Sequence, residues 1–386
     1  MSIEKSFDSS HEWKAVLVLS LTFGLVGLDR FILPPLFPTI MKDLRLNYQD
    51  LGNLVGALAM AWGVSAILVG NLSDRLGRRA VLVPAVIMFS LFSALSGLAT
   101  GFVSLLVTRA VMGIAEGAVA PTIVAVAMEV SDPKRRGLNN GIAACTFALF
   151  GQGLGPILAT QLVQVTSWRN VFFIVGIPGL IVAVFAWFVM REPRPTPSAT
   201  LVVRERTPLS AIFSHRNVPL AMLALLCAMT GVFVLFAIMP NYLVDTLKLT
   251  GARMGFVTSA IGLGGMLGQL ALPAASDFIG RRGATLLSFS LSALCLWIFI
   301  RTGADLTALF ALLAITAFFN FGALAILAGP IPAEAAPPRL VATAAGLVIG
   351  TGEIFGLNSL TDGSTRSASR KADALRKAKE QGFKGA

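Results

Sequence analysis

The chain has 386 residues, of which 55% are hydrophobic and only 13% charged, with a mean hydropathy of +0.77. Soluble domains carry about 25% charge, so this composition excludes one and calls for lipid as the solvent. Two histidines, and three cysteines that all fall inside apolar runs, exclude a metal cluster and a disulfide framework, and the net charge of +11 has to be read by position.

Apolar runs of about 20 residues suffice to cross a hydrocarbon core of roughly 30 Å. Backbone groups at that depth must bond internally, so each run predicts a helix. The runs fall at 15–37, 51–71, 80–99, 102–128, 139–165, 169–190, 218–244, 252–274, 284–301, 305–329 and 340–357, which gives ten full spans and a short eleventh. Residues 1–14 form a polar arm without a cleavage site before the first span, which reads as an uncleaved anchor.

The first span holds Asp29 and Arg30, then Pro34, Pro35 and Pro38. Prolines remove ladder hydrogen bonds, so this span is expected to break there, either at a substrate path or simply to close its outer end. The second span runs into Gly70-Asn71-Leu72-Ser73-Asp74-Arg75-Leu76-Gly77-Arg78-Arg79, a tight turn dense in charge. In the fourth span Arg109, Gly113, Glu116 and Gly117 share one apolar run, and the fifth contains Gly151-x-x-x-Gly155-Pro156. Small residues at that spacing permit close helix contact.

Residues 191–217 form the one long polar connection and divide a first bundle, 15–190, from a second, 218–357. The seventh span carries Pro240-Asn241-Tyr242-Leu243, and the eighth ends in Ser276-Asp277-Phe278-Ile279-Gly280-Arg281-Arg282. After Gly356 the chain turns basic: residues 358–386 hold seven Lys and Arg. That tail stands where a twelfth span belongs, and is expected to be non-native or disordered.

The chain repeats itself. A shift of 203 positions lays Asp74, Gly77, Arg78 and Arg79 on Asp277, Gly280, Arg281 and Arg282, and also pairs Arg45-Leu46 with Lys248-Leu249 and Gly52 with Gly255. Parallel repeats of this kind build transporters from two halves related by an axis along the membrane normal. Sixteen Lys and Arg fall in the N-terminal arm and the even-numbered connections, against six on the other side (Lys42, Arg45, Arg169, Lys248, Arg253 and Arg301). This bias puts the N-terminus and both turns in the cytoplasm, and reads the excess charge as orientation and not as nucleic-acid binding.

Asp29, Arg30, Arg109 and Glu116 lie deep inside spans. A charge at the bilayer centre costs at least about 2.5–3.5 kcal/mol, so each is a candidate functional residue. At about 1.5 Å per residue, Asp29 and Arg30 lie roughly 20 Å from the inner start of their helix and Arg109 roughly 10 Å from the outer start of its own. One cavity can therefore hold them. Their counterparts at the repeat offset are Val232, Phe233, Leu312 and Phe319, so these charges are expected on one half only. Arginine grips a carboxylate through two parallel hydrogen bonds. Burial favours a neutral acid and a nearby cation favours the carboxylate, a balance that suits Glu116 to loading a proton on one side and releasing it on the other. The alternative is a pair of ion pairs, Asp29 with an arginine and Glu116 with Arg109, that only steady the bundle.

The turn Gly-x-Leu-x-Asp-Arg-x-Gly-Arg-Arg resembles the loop between helices 2 and 3 of the major facilitator superfamily, and the resemblance runs from about Leu17 to about Gly356. It implies an all-α polytopic membrane protein of two pseudo-symmetric six-helix bundles, the second incomplete, working by alternating access as a monomer. Asp29-Arg30 with Arg109 and Glu116 is similar to the anion:cation symporter branch. That likeness implies substrate contact by Arg30 and Arg109, with Asn241 and Tyr242 from the seventh span, and proton coupling by Asp29 and Glu116. Asp74, Arg75, Gly77, Arg78 and Arg79, with Asp277, Gly280, Arg281 and Arg282, are expected to gate the cytoplasmic mouth. They would do so by pairing across it or by capping neighbouring helix ends. The sequence departs from the branch at Met128-Glu129-Val130-Ser131-Asp132-Pro133, where Trp-Phe-Pro is usual.

The expected function is secondary transport of a small organic anion, a carboxylate or sugar acid, with protons across the inner membrane. No catalytic residues, cofactor or metal are expected, and the partners are the anion, protons and the bilayer. A drug:proton antiporter is the rival within transport, although Leu158-Ala159 stands where such carriers have a glycine pair. A non-transporting receptor, or an inactive truncated carrier, is the rival from another class.

Overall fold

Local capping chemistry decides where the helices begin and end. A computed structural model describes residues 8–191, 216–233, 235, 239, 242–337 and 340–354. Helix α1, Ser9–Leu44, starts at Asp8, whose carboxylate accepts from the His11 N–H at 3.0 Å, and ends on Arg45 at φ 54°. Asn47 and Asp50 form a reciprocal capping box that opens α2, Tyr48–Leu76. Then come α3 (Arg78–Ser96), α4 (Phe102–Val130), α5 (Arg136–Ala148), a π-helical stretch at Leu149–Leu154, α6 (Gly155–Val165) and α7 (Trp168–Val189). The second half contributes α8 (Asn217–Phe233), a π-helical turn at Tyr242–Thr246, α9 (Gly251–Ile279), α10 (Arg281–Phe299), α11 (Leu306–Ala328) and the short α12 (Pro330–Ala335). The last described element is α13, Val341–Ile354.

Among the described residues nine helices are long and apolar enough to cross a bilayer. Two shorter apolar ones, Asn217–Val232 and Val341–Ile354, lie where the seventh and eleventh runs were expected. The linker core and the basic tail fall outside the described residues.

The duplication is visible in the backbone. The positive-φ residues among those described are Arg45 and Lys248, at 54° and 55°, and Gly77 and Gly280, at 103° and 85°. Each pair is separated by the repeat offset of 203. Non-glycine residues rarely enter this region, so the same unusual conformation at matching positions marks one structural unit used twice.

Pro34, Pro35 and Pro38 do not break the first span, because α1 continues through all three to Leu44. A proline has no N–H to give the carbonyl four residues before it, so the carbonyls of Arg30, Phe31 and Pro34 lose their helical donors while the helix goes on.

Packing divides the same way. One apolar cluster runs from Ala15 to Met190 within the first half, and others lie wholly within the second. A further cluster joins them, with Trp62, Ala66, Ala120 and Val124 against Ala333, Ala342, Ala345 and Ile349. In lipid, helices associate by close van der Waals contact more than by expulsion of water, which favours small residues at the seams. A Cβ on Gly63 of α2 would stand 2.7 Å from Ile354 of α13. On α4, a Cβ at Gly117 would stand 2.7 Å from the Trp62 ring, so that glycine sets how near Trp62 comes to the bundle.

Candidate functional site

Between the halves lies a cavity of about 390 Å³ lined by both of them, within the ~300–1,000 Å³ typical of small-molecule sites. Its walls are mainly apolar and aromatic, with Phe23, Phe31, Trp62, Phe147 and Phe321. Polar groups are few: Asn140, Gln152, Gln269, Arg30 and Glu353. Arg30, Phe31 and Pro34, the residues whose carbonyls the prolines deprive of donors, all line it.

Arg30 is the cationic centre. Its Nη2 lies 2.7 Å from Glu353 Oε2 and its Nη1 3.5 Å from Oε1. Its guanidinium carbon sits 4.2 Å from the centroid of the Trp62 ring. The side chain retains 17% exposure; it lines the cavity with Glu353 on its two Nη groups and the Trp62 ring against its face. Stacking on tryptophan and a forked hydrogen-bond pattern both use the planarity that lysine lacks.

The other expected charges stand behind this wall. Asp29 is 1% exposed and accepts from Ser93 Oγ at 2.5 Å. Arg109 is also 1% exposed; its Nη1 donates to the backbone carbonyl of Asp29 at 3.1 Å, and its guanidinium lies 5.2 Å from the Phe172 ring. Nε and Nη2 of Arg109, and both carboxylate oxygens of Glu116, are buried without a hydrogen-bond partner. Asp29, Arg30, Arg109 and Glu353 all act on Glu116 electrostatically. The two steadying ion pairs considered from the sequence are not formed: among the described residues no ion pair joins Asp29, Arg109 or Glu116.

Arg109 therefore does not face the cavity, contrary to a direct substrate contact. Its side of α4 packs against the α1 backbone and α7, inside the first bundle. Tyr242 is also displaced from the expected site, since its hydroxyl donates to the Ile300 carbonyl at 3.5 Å and its ring lies 6.2 Å from Phe299. Asn241 lies outside the described residues. The sequence reading missed Glu353, although the rule that flagged the others, an ionisable group inside an apolar run, applies to it equally. It also corrects the expectation of buried charge on one half only, because the second half supplies the carboxylate that meets Arg30.

At the end that carries the two turns, the halves are joined by carboxylates on helix N-termini. Asp74 accepts from the N–H groups of Ala342 and Thr343 at 3.2 and 2.7 Å, and from Thr343 Oγ1 at 2.5 Å, at the start of α13. Asp277 accepts from the N–H groups of Gly137 and Leu138 at 3.0 and 3.1 Å, at the start of α5. A negative charge there meets both the free donors and the positive end of the helix dipole.

Each aspartate also binds the arginine four residues on, Arg78 at 2.6 Å and Arg281 at 2.6 Å. Those arginines reach Glu129 at 2.6 Å and Glu334 at 2.7 Å. Each aspartate thus caps a helix end of the opposite half, a contact that both caps and reaches across this end. Arg75 and Arg282 are exposed, while Arg79 stacks 3.8 Å from the Trp187 ring.

Comparison with known proteins follows the same lines. Residues 19–357 match the sequence model of the Major Facilitator Superfamily. The chain is 29% identical over 284 residues to a hexuronate transporter of Bacillus subtilis, covering 72% of this chain and 67% of that one. It is 30% identical over 198 residues to a 4-hydroxybenzoate transporter of Pseudomonas aeruginosa, covering 51% of this chain and 43% of that one. In three dimensions it is similar to a human organic anion transporter, with a TM-score of 0.72 and 18% identity over 90% of this chain and 91% of the other.

Proposed function

This chain belongs to the Major Facilitator Superfamily, and from that premise we propose that it moves a small organic anion across the inner membrane together with protons. Its N-terminus and both turns lie in the cytoplasm on this reading, as the sorting of basic residues requires. The observation that carries the proposal is Arg30: a forked cation on the wall of the cavity between the halves, reached from both bundles. A lipophilic cation would find the cavity's carboxylate already held by Arg30, which argues against drug export.

The contacts of Asp74 and Asp277 describe one end of an alternating-access cycle, with the turn-bearing end shut. Arg30 seats the anion's carboxylate, and Asn140, Gln152 and Gln269 offer the remaining polar contacts. The relatives named above carry a hexuronate and 4-hydroxybenzoate. A sugar acid brings several hydroxyls that need partners, and buried polar groups without them are costly. The aromatic walls favour the flatter, less hydroxylated anion.

The test is uptake by proteoliposomes holding the full chain under an imposed pH gradient, with labelled 4-hydroxybenzoate and a labelled hexuronate. Accumulation that follows the proton gradient, greater for 4-hydroxybenzoate, is expected. Proton-driven cation export would replace this reading with an antiporter, and the absence of any flux would leave a receptor.

Glu116, fully buried and without a hydrogen-bond partner, is assigned to proton coupling. Glu116→Gln should preserve exchange of anion across the membrane but abolish accumulation against a gradient. Unaltered uphill uptake in that variant would remove Glu116 from the coupling machinery.

A further inference from the structure

Arg30 is not waiting free for cargo, because Glu353 already holds the edge that a substrate carboxylate would use. We infer that Glu353 is a resident competitor for the anion seat: incoming cargo displaces it from Arg30, and the displaced carboxylate takes up a proton. This rests on the reading that Arg30 is the anion's partner, and adds how the anion and a proton become linked at that seat.

The geometry supplies the competition. The Arg30–Glu353 contacts, 2.7 and 3.5 Å, have the two-pronged form in which arginine receives any carboxylate. Glu353 takes both Nη groups and the Trp62 ring covers the guanidinium face, so a second carboxylate cannot make the same two-pronged contact while Glu353 holds it. The bonds from Arg30 to Glu353 break as equivalent bonds to the cargo form.

Charge balance supplies the proton. Before exchange, one guanidinium faces one carboxylate. Afterwards a second negative charge has entered a largely apolar chamber, and Glu353, 7% exposed, is left without its partner. An unpaired charge there is strongly disfavoured. A proton from the water that admits the cargo forms an O–H on Glu353 and restores neutrality.

Among the described residues no other charged side chain lines the chamber. At this level α1 presents Arg30 to the chamber and Asp29 to Ser93, α4 carries Arg109 and Glu116 behind the wall, and the α2, α8 and α11 segments beside the chamber bear no Asp, Glu, Lys or Arg. The polar residues with which α9 and α5 line the chamber, Gln269 and Asn140, are neutral amides.

Equilibrium binding of labelled 4-hydroxybenzoate to the purified full chain, from mildly acidic to mildly alkaline pH, tests this. Wild type should bind more weakly as pH rises, approaching about tenfold per pH unit for one linked proton. Glu353→Gln, a permanently neutral partner, should bind at least about tenfold tighter at alkaline pH with a shallower slope, any remainder being the proton assigned to Glu116. In transport its KM should fall while its maximal rate falls too, a split that a merely structural role does not produce.

Glu353→Asp is the second variant, for use if the glutamine protein does not fold. It keeps a titrating carboxylate but reaches Arg30 less well, so its binding should tighten with the slope retained. Weakened binding in either variant, or a wild-type slope in Glu353→Gln, overturns the inference. If wild type binds and transports the anion while Glu353→Gln behaves like it, only this inference fails. If wild type neither binds nor carries a carboxylate, the transport reading fails and this one with it.

Discussion

Arg30→Gln should cut anion uptake by about thirtyfold or more, the largest loss expected from any single change in the chamber. Truncating one partner of a hydrogen-bonded charge pair in a desolvated site costs about 2–5 kcal/mol, and about 1.4 kcal/mol is a factor of ten. Arg30→Lys keeps the charge but not the fork or the stacking surface over Trp62, so an intermediate loss of about tenfold is expected. The single change also strands Glu353, so impaired folding has to be separated from impaired binding. The double variant Arg30→Gln with Glu353→Gln removes both charges of a largely buried pair, which is often neutral for stability. It should restore the thermal stability of the protein and leave uptake absent. Appreciable proton-driven anion uptake by a well-folded double variant would sink the assignment of Arg30.

Asp74→Ala is expected to open the turn-bearing end. The carboxylate, 2% exposed, holds Arg78 at 2.6 Å and three donors at the start of α13. Its removal leaves two helix N–H groups and the Thr343 hydroxyl without their acceptor and takes from Arg78 one of its two carboxylates. Breaking a buried pair costs about 3–5 kcal/mol, while carrying an equilibrium from 1:99 to 99:1 takes about 5.5 kcal/mol. The balance between the two faces of the carrier should therefore move by a factor of at least about a hundred toward the state open at this end. Spin labels at Arg75 and Arg282, exposed positions of the two turns on opposite halves, give the readout as a distance distribution. The labels should move apart in the variant. Asp277→Ala, which loses the matching contacts at Gly137 and Leu138, should act in the same direction. Unchanged distances in both would mean that the aspartates do not hold this end shut.

The turns and the chamber differ in how far local residue types define them. The turns were legible from residue types alone, because glycine, aspartate and arginine at that spacing state a local conformation. Gly77 and Gly280 take up the positive φ that ends one helix and starts the next. The role of Arg30 was half legible. Its presence in an apolar run marked it, but Asp29 beside it was marked equally, and adjacent residues on a helix point about 100° apart. The structure turns Arg30 to the chamber and Asp29 to Ser93.

Arg109 illustrates the same limit, since depth along a helix was correctly shared with Asp29 while direction around it was not. The prolines of α1 mark another. Their local preference predicted a break, yet the helix continues through a segment where Leu33, Leu36, Phe37 and Ile40 are each 1% exposed or less, and the packing outweighs the lost bonds.

The sequence by itself determined the solvent, the helical spans, the doubled turn and the membership of a two-bundle carrier family. Each of these depends on hydropathy or on backbone preferences within a few residues, and neither needs knowledge of distant partners. Only the tertiary structure decided which charges meet. Arg30 and Glu353 are 323 positions apart, and they touch because α1 and α13 are rotated about their own axes so that both residues face one chamber. That rotation is set by small-residue seams and aromatic contacts summed over many helices, a quantity no short stretch of chain contains.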